Sequence, residues 1–85
     1  MQILLHRNFL KDYARLPKKS RNKFKERRNL FIVNPFDPLL SNHSVDAAYP
    51  GWRSINITGD YRALFAVEAP NTVVFMRIGT HPELY

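Results

Sequence analysis

Apolar and polar positions alternate through Trp52–Thr58, Tyr61–Val67 and Thr72–Ile78, the period of a sheet whose two faces meet different surroundings. A three-residue turn, Thr58-Gly59-Asp60, pairs Ile57 with Tyr61, Ile55 with Ala63 and Arg53 with Phe65. The same register sets Asn56 opposite Arg62 and Ser54 opposite Leu64. A two-residue turn pairs Ile57 with Arg62 and mixes the two classes. A slip of one residue carries every side chain to the other face, so burial selects the three-residue register, with Gly59 at the positive-φ position. Ile55, Ile57, Tyr61, Ala63, Phe65 and Val67 then share the core face. Asn56 and Arg62 share the other, the face open to a substrate.

Upstream the period changes. Met1–His6 is a short apolar stretch suited to a strand laid against the later sheet. Phe9, Tyr13 and Leu16 recur at helical spacing after Asn8, which suits an N-cap. Pro17 breaks that helix and serves as the first residue of the next, Lys18–Val33, which carries Phe24, Leu30 and Phe31 and ends at Asn34-Pro35. Two helices meeting at a proline form a hairpin that must bury its apolar stripe on the sheet. Pro35–Gly51, with prolines at 35, 38 and 50, reads as a long ordered loop pinned by Phe36, Leu39, Leu40 and Tyr49. The order is β-α-α-β-β-β, an α+β domain over residues 1–85.

Composition narrows the class. An apolar fraction of 45% excludes a disordered tail, and 85 residues suffice for a single core. The absence of cysteine excludes a disulfide frame and a thiolate metal site. No apolar run is long enough to cross a bilayer and no signal-type segment follows Met1, so a cytoplasmic protein away from membranes is expected. The net charge of +6 points to a polyanionic partner. Its distribution is informative: Arg15, Lys18, Lys19, Arg21, Lys23, Lys25, Arg27 and Arg28 face Glu26 as the only acid in their interval. Such a helix is a solvated face, a phosphate-attracting surface or a dock for an acidic protein, and charge alone does not choose.

The candidate chemistry gathers at one edge. Pairing the last two strands through Ala69–Thr72 brings the start of one beside the end of the other. Arg62 and Arg77 then approach His81, and His43 folds over from the long loop. A histidine exchanges protons near neutral pH, and an arginine presents a planar fork to a phosphate. These types suit phosphodiester cleavage. Each also has a plainer role: His81 as a surface residue, Arg62 as a cross-strand ion-pair partner, Tyr85 as a hydrophobic plug, Asp60 as a turn residue. His6, His43 and His81 show no metal-ligand spacing, and no glycine-rich phosphate loop is present, so neither metal nor cofactor is expected.

Five segments together carry a resemblance: LPKKSR in the helices, NPFDPLLSNHSV in the loop, GW-R before the sheet, GDYRALF, and the ending RIGTHPELY. With them the chain resembles the RelE/ParE superfamily of toxins from type II toxin–antitoxin pairs, above all its YafQ-like and RelE-like mRNA interferases. The likeness runs through nearly the whole chain, and the Arg-x-Gly-Thr-His ending is its most specific piece. It implies a helical hairpin packed on a twisted, mainly antiparallel four-stranded sheet. It also implies a ribosome-dependent endoribonuclease in which the ribose 2′-hydroxyl attacks the adjacent phosphate, inhibiting translation. By the resemblance, His81 is the general acid and Tyr85 the terminal aromatic that orients a base. Asp60 and His43 are candidate bases, and Arg62 is the transition-state clamp. Lys18, Lys19, Arg21, Lys23, Lys25, Arg28, Arg53 and Arg77 are the expected RNA and ribosome contacts. Asn56 stands where YafQ-like members carry a histidine, so that proton-transfer role is absent or moved to His43 or Asp60.

The implied partners are a cognate acidic antitoxin, the ribosome with its mRNA, and operator DNA through the antitoxin. Two other functions fit the same fold. One is a ParE-like toxin that inhibits DNA gyrase without cutting RNA. The other is an inactive homologue that only binds antitoxin.

Overall fold

Alternation in the C-terminal half builds the expected antiparallel strands. The computed structural model describes residues 1–85 as β1 (Gln2–Leu5), α1 (Arg7–Ala14), α2 (Lys18–Val33), β2 (His43–Ser44), β3 (Arg53–Asn56), β4 (Tyr61–Ala69), β5 (Thr72–Thr80) and α3 (His81–Leu84). The sheet order is β1-β5-β4-β3-β2, with β1 parallel to β5 and the other pairs antiparallel. The β3–β4 register is the expected one, from Arg53 opposite Phe65 to Asn56 opposite Arg62. Ile57 N–H donates to the Tyr61 carbonyl at 2.9 Å, which completes the three-residue turn.

Several details depart from the sequence reading. The sheet has five strands, because Pro35–Gly51 contains a 3-10 turn at Pro38–Leu40 and a two-residue strand that pairs His43 with Ser54. The N-cap of α1 is His6, not Asn8: His6 is extended and its Nδ1 accepts the Asn8 N–H at 3.0 Å. Pro17 caps α2 from an extended conformation instead of opening it. Gly59 does not take the positive-φ position, since Thr58 Oγ1 accepts from the Asp60 and Tyr61 amides and closes the turn without it. Positive φ falls on Ser41 and Gly51. At Gly51 the angle is 83° and an added Cβ would meet no atom within 4 Å, so Gly51→Ala is a test of backbone strain alone. We expect it to cost about 1–2 kcal/mol in urea unfolding.

The helices bury their stripe on one face of the sheet. Phe9, Phe24, Phe31, Phe65 and Phe75 pack with ring centroids 5.0–5.9 Å apart, tilted or edge-on as their quadrupoles favour. Leu16, Leu40, Ile55, Ile57, Ala63, Val73 and Ile78 complete this core, and Tyr61 packs at its margin. Val67 is exposed, because β4 runs on past Phe65, its last pair with β3. Phe36 and Leu39 are also exposed, and Leu40 alone of that stretch is fully buried.

The opposite face is not wholly polar either. Leu64 is buried there with Val45 and Leu84, flanked by Tyr49 and Trp52. This second, small core fastens the loop and α3 over one part of the sheet and leaves the remainder open.

Candidate active site

On the face away from the main core, the register sets His43, Ser54, Leu64 and Arg77 in one row across the strands and Asn56, Arg62 and Gly79 in the next. Above these rows lies α3. Thr80 and Glu83 cap it reciprocally: Thr80 N–H donates to Glu83 Oε1 at 2.8 Å and Glu83 N–H to Thr80 Oγ1 at 3.4 Å. The Thr80-x-x-Glu83 spacing is a sequence signal for this turn of helix. α3 packs closely over Gly79, where a Cβ would make ordinary contacts at 3.4 Å with Glu83 Oε1 and 3.5 Å with Leu84 Cδ2. The Tyr49 hydroxyl donates to the Leu84 carbonyl. The result is a short, fixed helix that begins at His81 and ends against Tyr85.

A cleft of about 280 Å³ opens between α3, the loop and these rows, lined among others by His43, Ser54, Arg62, His81 and Tyr85. Four of the five predicted catalytic residues therefore converge. The fifth, Asp60, does not line this cleft. Its carbonyl accepts the His81 N–H at 3.2 Å, and its side chain faces a separate groove on the far side of His81.

The local bonding of each group fixes what it can do. His43 Nδ1 lies 2.6 Å from the Ser41 carbonyl. A carbonyl only accepts, so Nδ1 carries the hydrogen and a neutral ring keeps Nε2 bare to take a proton. Ser41 holds its carbonyl there from a left-handed conformation, φ 45°. Arg62 donates through Nη1 to the carbonyls of Thr58, Gly59 and Tyr61 at 3.0–3.1 Å and forms no ion pair. Its charge is anchored and not neutralised. The His81 and Tyr85 rings lie 4.6 Å apart, and Tyr85 meets Tyr49 edge-on at 5.9 Å. No Asp or Glu side chain lines the cleft. Ser54 is completely buried and its Oγ has no partner; an unmade bond of this kind costs on the order of 1–3 kcal/mol.

Arg77 does not approach His81 as expected. It is bound to Asp12, an acid on α1 that the sequence reading passed over: Nε donates to Oδ2 at 2.6 Å and Nη2 to Oδ1 at 3.2 Å. Asp12 Oδ2 also accepts the Ile78 N–H at 3.1 Å. Strand β1 stops at Leu5, level with Phe75, so Asp12 takes the place of a strand partner for the bare edge beyond. Burial raises the Asp12 carboxyl, but Arg77, the Ile78 amide and Arg15 outweigh it and hold the group below its ordinary value. The signal was present in the sequence, since Asp12 falls three residues after Phe9 on the inward stripe.

Of the predicted RNA contacts, Lys18, Lys19 and Lys25 are exposed and unpaired. Lys23 pairs with Glu26 at 3.3 Å. Arg28 donates to Asn29, and Arg21 to the Leu16 carbonyl at 2.6 Å. Arg53 is held by Asn42 and lies over Phe36. Because α2 packs on the main core, its cations lie on the side of the sheet away from the cleft.

Comparison with known proteins gives a consistent result. The model for "ParE toxin of type II toxin-antitoxin system, parDE" matches residues 3–85. The fold superposes on YafQ from E. coli strain BL21(DE3) with a TM-score of 0.82 at 24% identity, covering 99% of this chain and 97% of that one. A YoeB/ParE toxin from Agrobacterium tumefaciens gives 0.78 at 18% identity, over 95% and 99% of the two chains. The toxin of the E. coli DinJ-YafQ toxin-antitoxin complex gives 0.79 at 23%, over 99% and 96%. No curated protein matches the chain.

Proposed function

The chain belongs to the ParE toxin family of type II toxin–antitoxin systems, and on that premise we propose that it is a ribosome-dependent endoribonuclease that stops translation by cutting mRNA. One observation carries the reading: two histidines, an unpaired arginine and a terminal tyrosine line a single cleft that no Asp or Glu side chain lines. His43 Nε2 takes the proton of a ribose 2′-hydroxyl, and the 2′-oxygen attacks the adjacent phosphorus. The bond to the 5′-oxygen breaks, and His81 delivers its proton to that leaving oxygen. A 2′,3′-cyclic phosphate and a free 5′-hydroxyl remain. Arg62 holds the phosphate as its charge grows, and Tyr85 offers its ring to a base. Asp60 supports His81 through its backbone and takes no proton.

The placement of charge supports a large ribonucleoprotein target. Lys18, Lys19 and Lys25 cannot touch the phosphate held by Arg62, because the sheet lies between them. They meet other phosphates, such as those of ribosomal RNA, while the cleft holds the message. A cognate antitoxin, as DinJ is for YafQ in a solved complex, silences the toxin by covering basic surface with an acidic segment.

The test is primer extension on mRNA from a translating extract to which the purified protein is added. Discrete breaks that need ribosomes are expected. Arg62→Lys keeps the charge and loses the fork, and should slow cleavage about tenfold or more. Intact mRNA would overturn the reading. The matching family is that of a ParE toxin, and the resemblance seen in the sequence leaves one other function, a ParE-type toxin acting on DNA gyrase. Intact mRNA together with a DNA-damage response would establish that one instead.

A further inference from the structure

Ser54 is fully buried, lines the cleft, and its hydroxyl has no hydrogen-bond partner. Buried hydroxyls are nearly always satisfied. Neither neighbour bonds to it: His43, across the strand, directs Nδ1 to the Ser41 carbonyl, and Arg62 directs Nη1 to three turn carbonyls. We propose that Ser54 is a further RNA-binding residue, whose hydroxyl donates to a non-bridging oxygen of the phosphate that Arg62 clamps. This rests on the ribonuclease reading of the same cleft.

The register supports the pairing. Ser54 stands opposite Leu64, and Arg62 is two residues from Leu64 on the same face. Ser54 and Arg62 are therefore diagonal neighbours, about 7–8 Å apart at the backbone. A phosphate reaches both when it bonds to each through a different oxygen, at about 2.7–2.9 Å per bond. His43 and Arg62 line the cleft together with Ser54. His43 is exposed and Arg62 half-buried, and surface side chains change rotamer within about nanoseconds. An unpaired hydroxyl weakens the free protein and is satisfied only when the anion is seated. It thus favours the bound state selectively.

That asymmetry separates this role from a space-filling one. Ser54→Ala keeps the volume and removes the hydroxyl. Single-turnover cleavage of ribosome-bound mRNA should fall about 10- to 100-fold, the range for a hydrogen bond to a charged group. The melting temperature should stay unchanged or rise. Ser54→Cys, a weak donor of similar size, should fall between the two. Cleavage by Ser54→Ala at the wild-type rate overturns the proposal while leaving the ribonuclease reading intact. A clear drop in melting temperature also overturns it, because the hydroxyl then has a partner within the folded chain. A wild type that cuts nothing under the same conditions refutes the ribonuclease reading, and the Ser54 role with it.

Discussion

If the chain cuts mRNA as proposed, replacement of His81 by alanine should lower cleavage by about 10²–10⁴-fold, the contribution of one positioned general acid, and should restore growth to cells that express the toxin. The leaving 5′-oxygen needs a proton as its bond to phosphorus breaks, and with His43 assigned to the base His81 is the histidine left to supply it. His81→Gln keeps much of the ring's volume and polarity without proton exchange, so it should be nearly as slow as alanine. Neither change should unfold the protein. His81 is exposed, and α3 is fixed by the Thr80–Glu83 capping box, the Tyr49 hydroxyl and the burial of Leu84. The melting temperature of both variants should match the wild type within about 2–3 °C, as expected for surface substitutions. An alanine variant as toxic as the wild type would refute the assigned chemistry.

The second large effect concerns folding. Asp12→Ala leaves the Ile78 amide and the Arg77 guanidinium without their acceptor. We expect a loss of about 2–4 kcal/mol, somewhat under the figure for breaking a wholly buried pair, since Arg77 remains 34% exposed. In an 85-residue domain that corresponds to a drop of at least about 10 °C in melting temperature. Asp12→Asn keeps an oxygen for the amide and should lose less. The pH dependence follows from the direction of the shift. Burial raises the Asp12 carboxyl, but the Arg77, Ile78 and Arg15 hydrogen bonds prevail, and its folded pKa lies below the unfolded one. Its stabilisation is complete above the ordinary carboxylate range. It is lost as pH falls through the folded value, because the unfolded chain binds the proton more readily. Urea titrations at descending pH should show the wild type losing more stability than Asp12→Asn. Parallel curves would remove the ion pair from the account of stability.

Much of this molecule was legible before folding. The β3–β4 register followed from alternation and the short turn, since a one-residue slip would have exposed Ile55 and Ile57. The bounds of α2 followed from Pro17 and Asn34-Pro35. His43, Arg62, His81 and Tyr85 were candidates by residue type and by resemblance. Two local details were misread because a side chain did what backbone statistics assign elsewhere: the His6 ring capped α1 in place of Asn8, and the Thr58 hydroxyl closed the turn in place of a positive-φ glycine.

What the sequence determined on its own is the set of elements, the face of each that is apolar, and the chemical types available for catalysis. These depend on periodicity and local conformational preference, which are properties of neighbouring residues. Tertiary structure alone decided which groups meet. Asp12 and Arg77 are 65 residues apart and join at a bare strand edge; His43 reaches the cleft through a two-residue strand too short to have a period; and Ser54 is left without a bonding partner. Contacts of that kind arise from packing between distant segments, and no local pattern encodes them.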